Sequence, residues 1–201
     1  MKSIELIVFD LGKVLIDFDF QKVIKALQKH TPKTGEEIHQ FFLTTPLWDQ
    51  YERGKISSKD FFHQLSREVG LKGLSFEEFK PLWCDIFTEK HDTVALLKKL
   101  KGRYKLAMLS NVNEMHWLHV KGKHDFMQWF DIPVASYAVG LRKPEAAIYH
   151  HLLKQAGVTA DKAIFTDDLI EHITAAHKIG MKAHHFTTAE QLAKDWAELL
   201  Q

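Results

Sequence analysis

The 201 residues carry 27 Lys and Arg against 26 Asp and Glu, a formal charge of +1. No bulk field therefore draws the chain to nucleic acid or to an acidic membrane, and a phosphorylated ligand has to be caught by a local site. Cys84 is the single cysteine, which excludes an intramolecular disulfide and fits a reducing, cytoplasmic setting.

The chain opens on an apolar, β-rich run over residues 4–9 that ends abruptly at Asp10, with Gly12 marking a turn. That run is too short for a secretory h-region, and no stretch reaches the ~20 apolar residues needed to cross a bilayer. Residues 18–92 then read as helical text, with apolar periodicity over 21–30, 36–43, 59–69 and 76–87 and no convincing strand between. Ser58 and Ser75 stand where N-caps stand. From residue 93 onward helices and strands alternate. Helix 93–100 leads to strand 104–109, helical text resumes from Asn113, and a strand covers 134–137. Pro144 opens a helix to about 155, strand 163–166 and helix 169–179 follow, and strand 181–186 and helix 189–199 finish the chain. Such alternation predicts an α/β fold, a Rossmann-like doubly wound parallel sheet covered by helices on both faces. The expected domains are a catalytic core, 1–17 and 93–201, and an inserted helical cap, 18–92.

Ligands of an open parallel sheet bind outside the carboxyl ends of its strands. Those ends carry Asp10, then Ser110-Asn111, then a loop leading to Lys143, then Asp167-Asp168. Carboxylates suit a hard cation such as magnesium, amides at the helix start after Ser110 suit an anion, and a lysine is a point charge for phosphate. Together they point to phosphoryl transfer, in which positioning and charge stabilisation do most of the catalysis.

The segment Phe9-Asp10-Leu11-Gly12-Lys13-Val14-Leu15-Ile16-Asp17 resembles the first motif of the haloacid dehalogenase superfamily. Leu109-Ser110-Asn111 resembles its second, Leu141-Arg142-Lys143-Pro144-Glu145 its third, and Phe165-Thr166-Asp167-Asp168 its fourth. With Tyr51-Glu52-Arg53-Gly54-Lys55-Ile56-Ser57, the chain looks like the bacterial branch that contains α-D-glucose-1-phosphate phosphatases; the N-terminal phosphatase domain of soluble epoxide hydrolases is a more distant relative. The resemblance implies a magnesium-dependent phosphatase acting on a small phosphorylated metabolite, a sugar phosphate by preference. Asp10 would be nucleophile and metal ligand, the Gly12 carbonyl and Asp168 further ligands, and Ser110, the Asn111 amide and Lys143 the phosphate holders. Asp167 would support Lys143 or serve as an alternative ligand.

Two positions depart from the superfamily pattern. Gly12 stands where most of its phosphatases carry a second aspartate as general acid and base, a contribution of ~10²–10⁴-fold. A substrate with a good leaving group, a cap residue such as Glu52, or a role reduced to slow catalysis or phosphate binding would each accommodate that loss. His172 stands where an aspartate or asparagine is usual; there it would either remove an anchor behind the metal ligands and lower metal affinity or, the expected role, simply cap a helix start. A carbon–halogen hydrolase is the rival enzyme, and the paired Asp167 and Asp168 argue against it. The histidines suggest no zinc pattern, and Trp48, Tyr51 and Trp83 are expected in the core.

Overall fold

The computed structural model describes residues 4–199. Five strands form one parallel sheet: β1 (Leu6–Phe9), β4 (Lys105–Ser110), β5 (Ile132–Ala135), β6 (Ala163–Asp167) and β7 (Lys182–His185), in the order β5-β4-β1-β6-β7. Between the strands of the main sheet run α6 (His91–Leu100), α7 (Glu114–Lys123), α8 (Ser136–Val139), α9 (Ala146–Ala156) and α10 (Ile170–Lys178), and α11 (Ala189–Leu199) ends the chain. A second, two-stranded antiparallel ladder joins β2 (Ile16–Phe18) to β3 (Phe87–Glu89), and between those two lie α1 (Phe20–Leu27), α2 (Gly35–Thr44), α3 (Leu47–Glu52), α4 (Ser58–Val69) and α5 (Phe76–Cys84).

All four residues of β1 are buried, as a central strand requires. Because successive side chains point to opposite faces, Ile7 and Phe9 enter one core with Leu106, Met108, Trp117 and Trp196, while Leu6 and Val8 enter another with Leu109, Tyr149 and Phe165. A fully buried Leu, Ile or Phe contributes roughly 1.5–3 kcal/mol. From β1 the chain turns towards β4, and from β6 towards β7. The connections therefore diverge between β1 and β6, and the crevice at that switch point receives the ends of both strands, Asp10 and Asp167.

Helices α1–α5 have their own core of Trp83, Tyr51, Phe61, Phe79 and Leu65, to which α7 adds Met115. Thr34 with Glu37 and Ser75 with Glu78 form capping boxes at the starts of α2 and α5.

Several local expectations are corrected. Ser57, not Ser58, caps α4 by accepting from the Asp60 amide; Ser58 is buried and meets the Tyr51 hydroxyl at 2.9 Å. The helical text at 76–87 stops at Cys84, and Phe87 pairs instead with Phe18 across the ladder. Three-residue strands are too short to show alternation, which is why β2 and β3 escape a periodicity reading. The same holds for α3, six residues behind Pro46. The strand expected at 134–137 lies at Ile132–Ala135, and Ser136 begins α8. The helix expected from Pro144 begins at Ala146. The Asn111 side chain pairs with both backbone groups of Lys143, at 2.9 Å each, and the chain turns there, the Glu145 amide donating to the Arg142 carbonyl at 3.0 Å, before the helix can begin. Of the three aromatic residues expected in the core, Tyr51 and Trp83 are buried there, whereas Trp48 is half-buried beside a cavity.

The helical insertion is bonded tightly to the sheet domain. The backbone of Gly54, at φ +63°, comes so close to Tyr137 that a Cβ there would lie 2.0 Å from the Tyr137 carbonyl oxygen. Any side chain at 54 would therefore force the two parts apart. Ser136 Oγ donates to the Glu52 carbonyl at 2.6 Å. His116 of α7 stacks on Trp83 of α5 with ring centroids 5.3 Å apart. Its Nε2–H donates to the Trp83 carbonyl and its Nδ1 accepts from the Asn113 side chain, each at 3.0 Å. That arrangement requires neutral imidazole, and burial lowers its pKa from 6.5 to about 4. The unfolded chain binds this proton from pH 6.5 downward while the folded chain resists it to about pH 4, so stability falls as pH drops through that window. The loss amounts to about 3 kcal/mol in all, at ~1.4 kcal/mol per pH unit. Urea midpoints measured from pH 7 to 4 should therefore decline more steeply for the native chain than for His116→Gln; parallel profiles would refute the assignment.

Candidate active site

Asp10 leaves the end of β1 with its amide bonded to the Thr166 carbonyl at 2.9 Å, so the backbone of β6 fixes where its side chain begins. Opposite it is Lys143, 3% exposed, whose Nζ lies 2.8 Å from Asp10 Oδ1 and 2.6 Å from Asp167 Oδ2. The lysine is steered by Asn111, whose side-chain amide is committed to the Lys143 backbone. Of Asn111, the backbone N–H is thus the group left to face an anion. Ser110 closes β4 and is buried. It does not begin a helix: α7 starts at Glu114 with Asn113 as its cap, so the expected anion site on helix amides after Ser110 is a loop between strand and helix.

The two adjacent aspartates have different surroundings. Asp167 accepts from Lys143 Nζ, from the Leu169 amide at 2.8 Å, and from His172 Nδ1 at 2.9 and 3.0 Å. A carboxylate can only accept, so His172 carries its proton on Nδ1. His172 therefore anchors Asp167 and does not cap the helix as the sequence suggested. Asp168 is half-buried and aims at the same space; Asp10, Asp167 and Asp168 bring ligand oxygens within 4.8 Å of one another. Among the described residues no other group of three His, Cys, Asp or Glu does so.

These contacts set the charges. Burial pushes the Asp10 carboxyl well above the usual carboxylate range, with Lys143 pulling the other way and Asp167 adding to the rise. Asp167 is buried too, but Lys143 and His172 outweigh that and hold it well below the range. Burial alone would lower the Lys143 pKa; the two carboxylates more than offset this and keep it a cation. Burial and the neighbouring Asp167 raise Asp168.

Gly12 sits in the turn after Asp10, where the Leu11 carbonyl accepts from the amides of Leu15 and Ile16 at 2.9 and 3.0 Å. A Cβ on residue 12 would lie 3.2 Å from the Phe18 ring. Lys13, held at φ +59°, sets its ammonium 4.4 Å from the centre of that ring and pairs with Asp17. A side chain at residue 12 would thus start in tight contact with the edge of an aromatic ring.

Facing this centre, Arg142 ties the helical insertion to the loop of Lys143 through Asp49 at 2.6 Å and Glu52 at 2.7 Å, and Arg53 pairs with Glu145. The sequence marked Glu52 but gave no role to Arg142, Phe18 or the Asn111 side chain. Arg142 could have been suspected as a charge beside Lys143, whereas Phe18, six residues from Gly12, leaves no signal in the sequence.

The family profile of haloacid dehalogenase-like hydrolases matches residues 4–180. The sesquiterpene phosphatase astK of Aspergillus oryzae is 31% identical over 181 residues, covering 90% of this chain and 88% of its own. The D-ribitol-5-phosphate phosphatase of Bacteroides thetaiotaomicron is 28% identical over 205 residues, 96% of this chain and 95% of its own. A HAD-family enzyme from the same bacterium, solved in complex with magnesium and inorganic phosphate, superposes with a TM-score of 0.84 at 24% identity, covering 99% of this chain and 100% of that one. With the profile running from the first strand of the sheet to the end of the helix after Asp168, the chain belongs to the haloacid dehalogenase-like hydrolases.

Proposed function

We propose that the chain is a magnesium-dependent phosphatase that hydrolyses a small phosphomonoester through a covalent phosphate on Asp10. The observation that carries this reading is the meeting of Asp10, Asp167 and Asp168 with the buried Lys143 at the sheet's switch point. An all-oxygen set of carboxylates fits magnesium. Asp167 is already surrounded by three donors, so Asp10, Asp168 and the Gly12 carbonyl are the ligands we assign, with Asp167 supporting Lys143. Bound there, the ion would neutralise phosphate charge and favour ionised Asp10. A cap over residues 18–92 and a core of 1–17 and 93–201 accord with the separate helical core.

In this mechanism an Asp10 oxygen attacks phosphorus as the bond to the alcohol oxygen breaks, and the departing oxygen takes its proton from water, because Gly12 offers none. Lys143, Ser110 and the Asn111 amide stabilise the charge spread over the phosphoryl oxygens. Water then attacks the aspartyl phosphate, giving inorganic phosphate and free Asp10. Asp167 and His172 hold Lys143 and each other, and act by positioning.

The dehalogenase alternative gains nothing from three clustered carboxylates, and a module that only bound phosphate would gain nothing from a carboxylate at Asp10 facing the anion. The relatives' names bracket the alcohol. A ribitol phosphatase supports the sugar-phosphate preference, and a sesquiterpene phosphatase an apolar one. Among the described residues no helix is long and apolar enough to cross a membrane, and the lone, buried Cys84 suits the cytoplasmic setting we propose.

The test is phosphate release from phenyl phosphate with and without magnesium. Release should require the metal, and Asp168→Asn should raise the concentration giving half the maximal rate at least about tenfold. Turnover indifferent to chelator, or chloride release from a 2-chloroacid, would sink the proposal.

A further inference from the structure

A cavity of about 400 Å³ lies between the turn after β1, the helical insertion and the start of α7. Its walls are rings and alkyl chains: Phe18, Phe20, Phe42, Leu43, Trp48 and Phe87. Phe20, Phe42 and Trp48 pack edge to face, with centroids 5.0, 5.7 and 5.9 Å apart. At its inner end are Gly12, Ser110 and Asn111, the residues assigned to metal and phosphate. The cavity is therefore continuous with the reacting centre.

The polar groups in the lining are mostly spoken for. The Glu52 carboxylate pairs with Arg142, and both nitrogens of His116 are hydrogen-bonded. That leaves, on the insertion's side, the half-buried His39 and Glu52 Oε2, which is ion-paired but accepts no hydrogen bond. A polyol here would bury more hydroxyls than these few groups can partner, losing the water those hydroxyls bind. Two of the walls are left largely in solvent: Phe18 is 38% and Leu43 65% exposed. Large apolar side chains left in solvent around a cavity mark a ligand site. Finally, the position that would bring a carboxylate to the leaving oxygen is Gly12, covered by the Phe18 ring.

Resting on the phosphatase reading, we infer that this cavity seats the alcohol half of the substrate, and that this alcohol is apolar. At the ~30 Å³ share of one water molecule per non-hydrogen atom, the volume holds about a dozen atoms, an alcohol of roughly ten carbons. The cavity then selects by area removed from water, with the phosphate end fixed by Lys143 and Ser110.

Straight-chain alkyl phosphates, ethyl through decyl, test this directly, because their leaving oxygens differ little and chain length reports on the cavity. With magnesium present, kcat/KM should climb by up to about fourfold per methylene. It should gain at least a hundredfold from butyl to decyl and exceed the values for glucose 1-phosphate and ribitol 5-phosphate. Leu43→Glu and Phe42→Ser should flatten the climb. A rate independent of chain length, or a preference for the polyol phosphates, would overturn the inference while leaving a magnesium-dependent phosphatase in place. If no ester is hydrolysed, the phosphatase reading falls and binding decides the rest. A change in Trp48 emission with 1-octanol, absent in Trp48→Phe and absent with ribitol, would uphold the apolar seat; no change would end it.

Discussion

Asp10→Asn should leave a folded protein whose phosphate release falls by at least about 10⁴-fold. The carboxamide keeps the shape of the side chain but has no oxygen able to form the phosphate ester, and loss of a covalent nucleophile costs on that order or more. Stability should change little, because two effects oppose one another. Burial disfavours the Asp10 charge, so an uncharged amide removes a cost, while Lys143 loses one of its two counter-charges. Phosphate release and a thermal melt on the same preparation check both halves. Residual turnover within tenfold of the native chain, with the melt unchanged, would mean that the nucleophile lies elsewhere.

Lys143→Met should fail in both respects. The lysine is enclosed, with its ammonium bridging Asp10 and Asp167. Methionine fills similar volume but leaves two carboxylates facing each other without a cation, and breaking a buried ion pair by removing one partner typically costs 3–5 kcal/mol. Activity should drop at least about 10³-fold, since the charge on the transferring phosphoryl loses its fixed counter-charge. Arginine is no conservative replacement, because its planar fork needs room that a site enclosed by Asn111, Asp10 and Asp167 does not offer. Denaturant midpoints and turnover of Lys143→Met measure the two effects separately. A midpoint equal to that of the native chain would show that the carboxylates repel less than their geometry implies.

The strand ends were readable because a parallel sheet exports its chemistry to one edge, and Asp10, Ser110, Lys143 and the Asp167-Asp168 pair each follow a recognisable apolar run or turn. Their ranking was not readable. Asp167 and Asp168 are neighbours in sequence, and only the donors around them, His172, Leu169 and Lys143, distinguish the anchored carboxylate from the open one. Arg142 meets Asp49 across 93 positions, and no local pattern encodes such a pairing. The short ladder of β2 and β3 was hidden for a different reason. Each strand has three residues, fewer than alternation needs to be seen, and their pairing depends on the insertion folding back on itself. The apolar cavity likewise draws on residues from the first turn, the insertion and α7, each unremarkable within its own stretch of sequence.

The near-contact between residue 12 and the Phe18 ring bears on which sequence changes are open to this chain. Adding a side chain at 12 against an unmoved ring carries the cost of overpacking, typically about 1–3 kcal/mol, whereas trimming Phe18 first removes the obstacle and the platform over which Lys13 rests. The two positions are thus epistatic, and the order of substitution matters. A lineage that keeps phenylalanine at 18 must shift that ring by a few tenths of an ångström to admit a side chain at 12, and one that loses it acquires a carboxylate there without that adjustment.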